Sequence, residues 1–311
     1  MTSLFQRMQY ALTGTTAGRR FQEQMDVATI AMLTYLKGLY DENPSVVTPE
    51  DKEALFNQAV EAMESKKFEE HKSIAQEEIT KQVQIMFDAV VKGNQIVQQK
   101  PNVFSITEET TSAKHYKSIE EYVQDRIGFS LKVGESSIPD AGRGLFLQGS
   151  ALAGTVVALY PGTVFLSEHY RKKYFDVVSN NPYARARFDG AIINAKDEAI
   201  PHANHFALAQ LVNHPPSGTL PNVLPMAFDF PNLEPFTNEE FAKYIPNKYI
   251  EQPSLLAMGN QLKSSCKGLA LVALYDIHDE ELMLNYRYNP SLPYPSWYTP
   301  VDKEADEKMW S

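Results

Sequence analysis

The chain has almost no cysteine, no long apolar run and no basic cluster, and each absence removes a class of protein. Cys266 is the single cysteine in 311 residues, which rules out an intrachain disulfide and a cysteine-based zinc cluster and suits a reducing compartment. No apolar stretch approaches the roughly 20 residues that span a bilayer, and no secretory h-region opens the chain, so a soluble protein away from membranes is expected. Lys and Arg form no long run and the formal net charge is -10. Direct nucleic-acid binding is therefore disfavoured and a basic protein or peptide partner favoured. Acidic residues are missing before Glu23, where Arg7, Arg19 and Arg20 stand among Ser, Thr, Leu4, Phe5, Met8 and Leu12. That segment reads as an acid-free tail reaching the first helix, with transit-peptide character as the lesser alternative. A monomer in the cytoplasm or nucleus is expected, mitochondrial import being the minority option.

What is present is enough for a sizeable core, at 43 % hydrophobic residues. Apolar residues recur at helical spacing through Met25, Ile30, Leu33, Leu36 and Leu39, predicting a helix over 21–40. Thr48 followed by Pro49 places an N-cap and a first-turn proline before Leu55, Phe56, Ala59, Val60 and Met63. A third helix is predicted over about 68–97, with Ile79, Val83, Met86, Phe87 and Val90 on one side and mostly Gln or Glu opposite. Such stripes point to helix-on-helix packing. The polar segment 101–117 marks a boundary, giving a helical region 1–117, a second domain 118–300 and an acidic tail 301–311.

After residue 117 the period changes. Ser118 and Glu121 have capping-box spacing ahead of Tyr122, Val123 and Ile127, and Gly128 stops that helix. Short β-like runs follow at 129–133, 155–160, 188–194, 269–274 and 282–286, separated by Gly, Pro, Asn and Asp clusters. No strand–helix alternation supports a Rossmann fold. The class is α+β, a mostly β domain behind an α-helical N-terminal region.

Three segments carry potential chemistry. Gly142-Arg143-Gly144-Leu145-Phe146 permits close backbone approach to a ligand but alone is equally a tight turn. Asn213-His214 precedes Pro215, Pro216 and Pro221-Asn222-Val223, and alone reads as a loop. Ala273-Leu274-Tyr275-Asp276-Ile277 leads through Glu280-Glu281-Leu282 to Tyr286, alone a strand, turn and strand with a core aromatic. In this order the three resemble the SET-domain methyltransferase family over roughly 118–288. Tyr160-Pro161-Gly162-Thr163-Val164 and Ile127-Gly128-Phe129-Ser130 are similar to the SET domain-containing protein nine subfamily, which also has a helical N-terminal region.

The resemblance implies a β-clip whose C-terminal segment threads under a loop as a pseudoknot, bringing Asn213-His214 beside Tyr286. It implies S-adenosylmethionine as cofactor, held by Arg143, Gly144, Leu145, Asn213, His214 and Tyr286, and protein-lysine N-methylation with Tyr286 as catalytic residue. A substrate channel is expected from Tyr160, Leu284, Tyr288 and Trp297. An inactive SET module that binds protein partners is the alternative. Leu284 stands where many relatives carry Phe or Tyr, Pro215-Pro216 replace Ser-Cys, and the usual glycine before Glu280-Glu281 is missing. The post-SET zinc cysteines cannot exist, leaving Tyr288, Tyr294, Trp297 and Tyr298 as candidates for that wall. Adjacent Glu280 and Glu281 point to opposite faces of a strand end and read as structural rather than an acid–base pair. His202 and His205 have a helical metal-pair spacing but no convincing third ligand, so no metal is expected.

Overall fold

The structure is a computed structural model; it describes residues 17–45, 48–98, 116–170, 173–178, 181–196, 204–251 and 264–311. The chain runs α1 (Ala17–Glu42), α2 (Pro49–Glu64), α3 (Phe68–Gln98) and α4 (Ile119–Ile127), then β1 (Phe129–Glu135), β2 (Arg143–Ala151), β3 (Val156–Leu159) and β4 (Gly162–Phe165). After α5 (Ser167–Tyr170) and α6 (Phe175–Val178) come β5 (Ala184–Ala186), β6 (Ile192–Asn194), β7 (Val223–Pro231), α7 (Glu239–Ala242), β8 (Asn247–Tyr249), β9 (Ser264–Ala273), β10 (Ile277–His278) and α8 (Lys303–Trp310). The caps form as their chemistry requires: the Thr48 side chain accepts from Asp51 N, and that of Ser118 from Glu121 N. The return arm of the second box differs from expectation, because the Glu121 carboxylate accepts from Lys117 N rather than from the cap residue.

The strands form small sheets in the orders β1-β2-β10, β3-β9-β7 and β5-β6-β4-β8, antiparallel except for β4 with β8. Strand β7 escapes the pattern reading because Pro225 and Pro231 interrupt it. It tolerates them as an edge strand, paired with β9 alone. The run 188–194 yields only β6, since Phe188-Asp189-Gly190 turns. The run 282–286 is no ladder at all but a segment held by isolated bridges.

The helical region is not a separate body. Helix α3 lies across the β3-β9-β7 sheet and closes both of its edges with glutamine amides. Gln76 donates to Asp229 O at 2.8 Å and accepts from Asp229 N at 3.0 Å on edge strand β7. Gln82 donates to Gly154 O at 2.9 Å and accepts from Val156 N at 2.7 Å at the other edge. Two residues of the polar side of the stripe thus satisfy backbone groups that would otherwise stay open to pairing. Beneath them Phe87, fully buried, meets the rings of Phe230, Phe236, Phe241 and Tyr244 with centroids 5.9 to 6.2 Å apart. One core cluster runs from α1 through α3 into the sheets, so the boundary at 117 divides the chain but not the core.

Although acidic, residues 303–310 form a helix that buries Asp306 and Met309. It packs so closely on α1 that a Cβ on Gly18 would lie 1.9 Å from Lys308 O. Burial lifts the Asp306 carboxyl to about 6. Among the described residues no helix is long and apolar enough to cross a membrane.

Because Phe87 joins the two halves of the core, Phe87→Ala should cost about 3–5 kcal/mol, the usual range for emptying an aromatic site. Urea unfolding followed separately by far-UV and tyrosine signals should show both halves losing stability together. Loss confined to the helices would contradict the single core.

Candidate functional site

The site begins with β2, whose first residues are Arg143 and Gly144. Gly142 ahead of it has φ +74 and open space where a Cβ would stand. Gly144 is required for the opposite reason, close approach: a Cβ there would lie 2.1 Å from Glu281 Oε1. The Glu281 carboxylate is 8 % exposed and collects the neighbouring donors. Ser136 Oγ donates at 2.7 Å, Ser137 N at 2.7 Å, Ser137 Oγ at 2.6 Å and Asn213 Nδ2 at 3.2 Å. Burial opposes its ionisation, but the donors of Ser137, Ser136 and Asn213 outweigh that and hold its carboxyl below the ordinary value. The expectation that Glu281 is structural is met in an active form: it joins the turn, the Asn-His segment and its own.

Asn213 Nδ2 also donates to Arg143 O at 3.0 Å, so the side chain sits directly behind the glycine turn. Among the described residues no hydrogen bond reaches its Oδ1. Residues 281–286 then pass between the two ends of the 213–223 loop. On one side Leu284 N donates to Asn213 O at 2.8 Å; on the other Asn222 N and Val223 N donate to Met283 O. Asn222 adds side-chain bonds to Glu281 O and from Met283 N, while Leu282 N donates to Leu145 O at 2.7 Å. This is the threaded arrangement that the resemblance implies, held by backbone bonds to three segments.

His214 lies beside Tyr286 with its ring fully engaged. Nε2 is 2.7 Å from Thr299 O and Nδ1 accepts from Tyr286 N at 3.2 Å, which sets the neutral ring with the proton on Nε2. Burial lowers its pKa in keeping. Its ring packs on Tyr298, centroids 4.4 Å apart, and Tyr298 in turn meets Tyr288 at 4.7 Å and Tyr294 at 4.9 Å. Aromatic packing thus joins His214 to the segment after Tyr286, with Tyr298, 6 % exposed, at its hub.

The Tyr286 hydroxyl donates to Val212 O at 2.9 Å. Burial raises its pKa, so the phenol stays protonated at neutral pH. Beside it opens a cavity of about 620 Å³. Of the four expected channel residues, Leu284 and Tyr288 line it. Tyr160 does not: it is 2 % exposed, bonded to Tyr183 O at 2.9 Å, and burial pushes its pKa up to about 12. Trp297 stands outside, 61 % exposed and edge-on to Tyr286.

The pattern reading missed the far wall. Arg287, at φ +49, forms a bidentate pair with Asp26 of α1 and accepts at its carbonyl from Trp310 Nε1 of α8. The first and last described helices thereby fasten the residue after Tyr286. Only an unpaired Asp inside the apolar stripe of α1 could have signalled this. His202 lies outside the described residues; His205 Nδ1 is 3.0 Å from Glu120. Among the described residues no group of three metal-binding side chains occurs.

A glycine turn, an Asn-His loop and a tyrosine segment threaded through that loop are the features by which the chain resembles SET domains. The chain is similar to "SET domain-containing protein 9" of Homo sapiens, 29 % identical over 196 residues covering 54 % of this chain and 61 % of that protein. Against the Pongo abelii protein of the same name it is also 29 % identical over 196 residues, with 67 % of that protein covered. The chain thus spans about three-fifths of the human relative's length. No protein-family model matches it. Solved structures include ctPRC2 in an autoinhibited conformation bound to S-adenosylmethionine, at 20 % identity, covering 53 % of this chain and 16 % of that one. Its TM-score is 0.28, too low for anything to follow from the superposition.

Glu281→Ala should cost roughly 1–3 kcal/mol, the penalty for stranding buried donors. The carboxyl is lowered in the folded state, so its stabilisation is complete above the ordinary value of 4.5 and is lost as pH falls through the folded value. Thermal melts from pH 7 down to 3 should show that loss in the wild type and a weaker pH dependence in Glu281→Gln.

Proposed function

We propose that the chain is an S-adenosylmethionine-dependent protein-lysine N-methyltransferase acting on a basic protein or peptide. The observation that carries this reading is the convergence of the Gly142–Leu145 turn, Asn213 and Tyr286 around one threaded segment. These residues fit the cofactor. Gly142 faces open space, and the Asn213 carboxamide oxygen is a ready acceptor for an ammonium group. When bound, the cofactor supplies an electrophilic sulfonium methyl.

The protein's share is to position the amine and keep it neutral. Donation to Val212 O turns the lone pairs of the Tyr286 oxygen toward a donor such as the acceptor amine. Burial keeps that oxygen protonated, so it orients without competing as a nucleophile. A lysine amine entering the cavity beside Leu284 and Tyr288 is desolvated, which lowers its pKa and favours the reactive base. Alignment at about 3–3.5 Å then provides much of the acceleration.

Saturating S-adenosylmethionine, about 100 times its Kd, should stabilise the protein by about 2.7 kcal/mol in a thermal-shift assay. Labelled-methyl transfer to a lysine-peptide panel should fall roughly 10²-fold or more in Tyr286→Phe while the thermal shift persists. Cofactor stabilisation without transfer would favour the non-catalytic module; no stabilisation would remove the cofactor from the reading.

A further inference from the structure

Four arginines and one aspartate, Arg19, Arg185, Arg187, Arg287 and Asp26, line the cavity beside Tyr286. Arg187 is neutralised by Asp189 and Asp229, and Arg287 by Asp26. Arg19 packs over Phe188 and Trp310. Arg185 is different. It belongs to β5, pairs there with Ile193, and sets its guanidinium carbon 4.0 Å from the centre of the Tyr286 ring. Its Nε is buried without a hydrogen-bond partner, its guanidinium reaches the Tyr160 and Tyr286 hydroxyls, and among the described residues no carboxylate forms an ion pair with it. The guanidinium also opposes the rise that burial imposes on the Tyr160 and Tyr286 hydroxyls.

A cation in that position should weaken a lysine ammonium and attract an anion. The overall charge of -10 argues otherwise, but at contact distance the nearest charge decides, because exposed charges beyond about 8 Å are largely screened at physiological salt. A carboxylate fits this unneutralised cation, since its two oxygens can accept from guanidinium nitrogens that face the cavity.

We propose that Arg185 makes this cavity recognise the carboxylate of an Asp or Glu carried next to the methyl acceptor. The acceptor segment is then acidic at its centre whatever the charge of the protein that carries it. The inference rests on the reading of the chain as a protein methyltransferase, and its test reads binding rather than turnover.

Two fluorescein-labelled peptide libraries serve as probes, each with a central lysine among random Gly, Ala and Ser, one with Glu and one with Lys at the adjacent positions. By anisotropy the full chain should bind the Glu library about tenfold more tightly, the size of one charge-assisted hydrogen bond. Arg185→Gln should abolish that difference, and Arg185→Lys, which keeps charge but not the planar fork, should retain part of it. Equal binding, preference for the Lys library, binding of neither, or a Glu preference that survives Arg185→Gln overturns the proposal. So does tighter binding of both libraries to Arg185→Gln, which would make the guanidinium a plug. If methyl transfer fails while the Arg185-dependent preference holds, the recognition site stands and the reaction does not.

Discussion

The Glu281 carboxylate, inserted against the bare Cα of Gly144, accepts from Ser136, Ser137 and Asn213 at once, and the candidate site is built around it. A side chain at residue 144 would displace it, and a shorter acid would not reach the serines from the threaded segment. With the carboxylate in place, Leu282 registers on Leu145, Met283 on Asn222 and Leu284 on Asn213, which brings Tyr286 to His214. Buried donors that share one ionised acceptor are costly to strand, so the segments are held in register more strictly than hydrophobic packing alone would hold them.

Around that centre the helices do structural work that also shapes the cavity. Helix α3 closes both edges of a three-stranded sheet with Gln76 and Gln82, while α1 and α8 meet at Arg287 and form the far wall. Aromatic packing through Tyr298 joins His214 to Tyr288. The result places one cation, Arg185, on the face of the tyrosine assigned to the chemistry.

Local signals were legible wherever a residue's partner lies within a few positions. Thr48 and Ser118 cap their helices, Gly128 ends one, and the stripe from Ile79 to Val90 faces the core, because capping and amphipathic periodicity are short-range. The three motifs could be read in order because each rests on a few contiguous residues. By itself the sequence determined these elements, the glycine turn, the Asn-His pair and the tyrosine.

The tertiary structure decided what those residues touch. Pro225 and Pro231 belong to a strand because that strand is an edge, and residues 303–310 fold as a helix because Gly18 lets them dock on α1. Residues 282–286, which alternate like a strand, are threaded instead. Tyr160 stays behind the cavity and Trp297 outside it, whereas Asp26 and Arg185, unremarked in the sequence, face the tyrosine segment from distant positions. Ion pairs, stacking and threading join residues tens to hundreds of positions apart, and no short-range pattern in the chain encodes which charge will meet which ring.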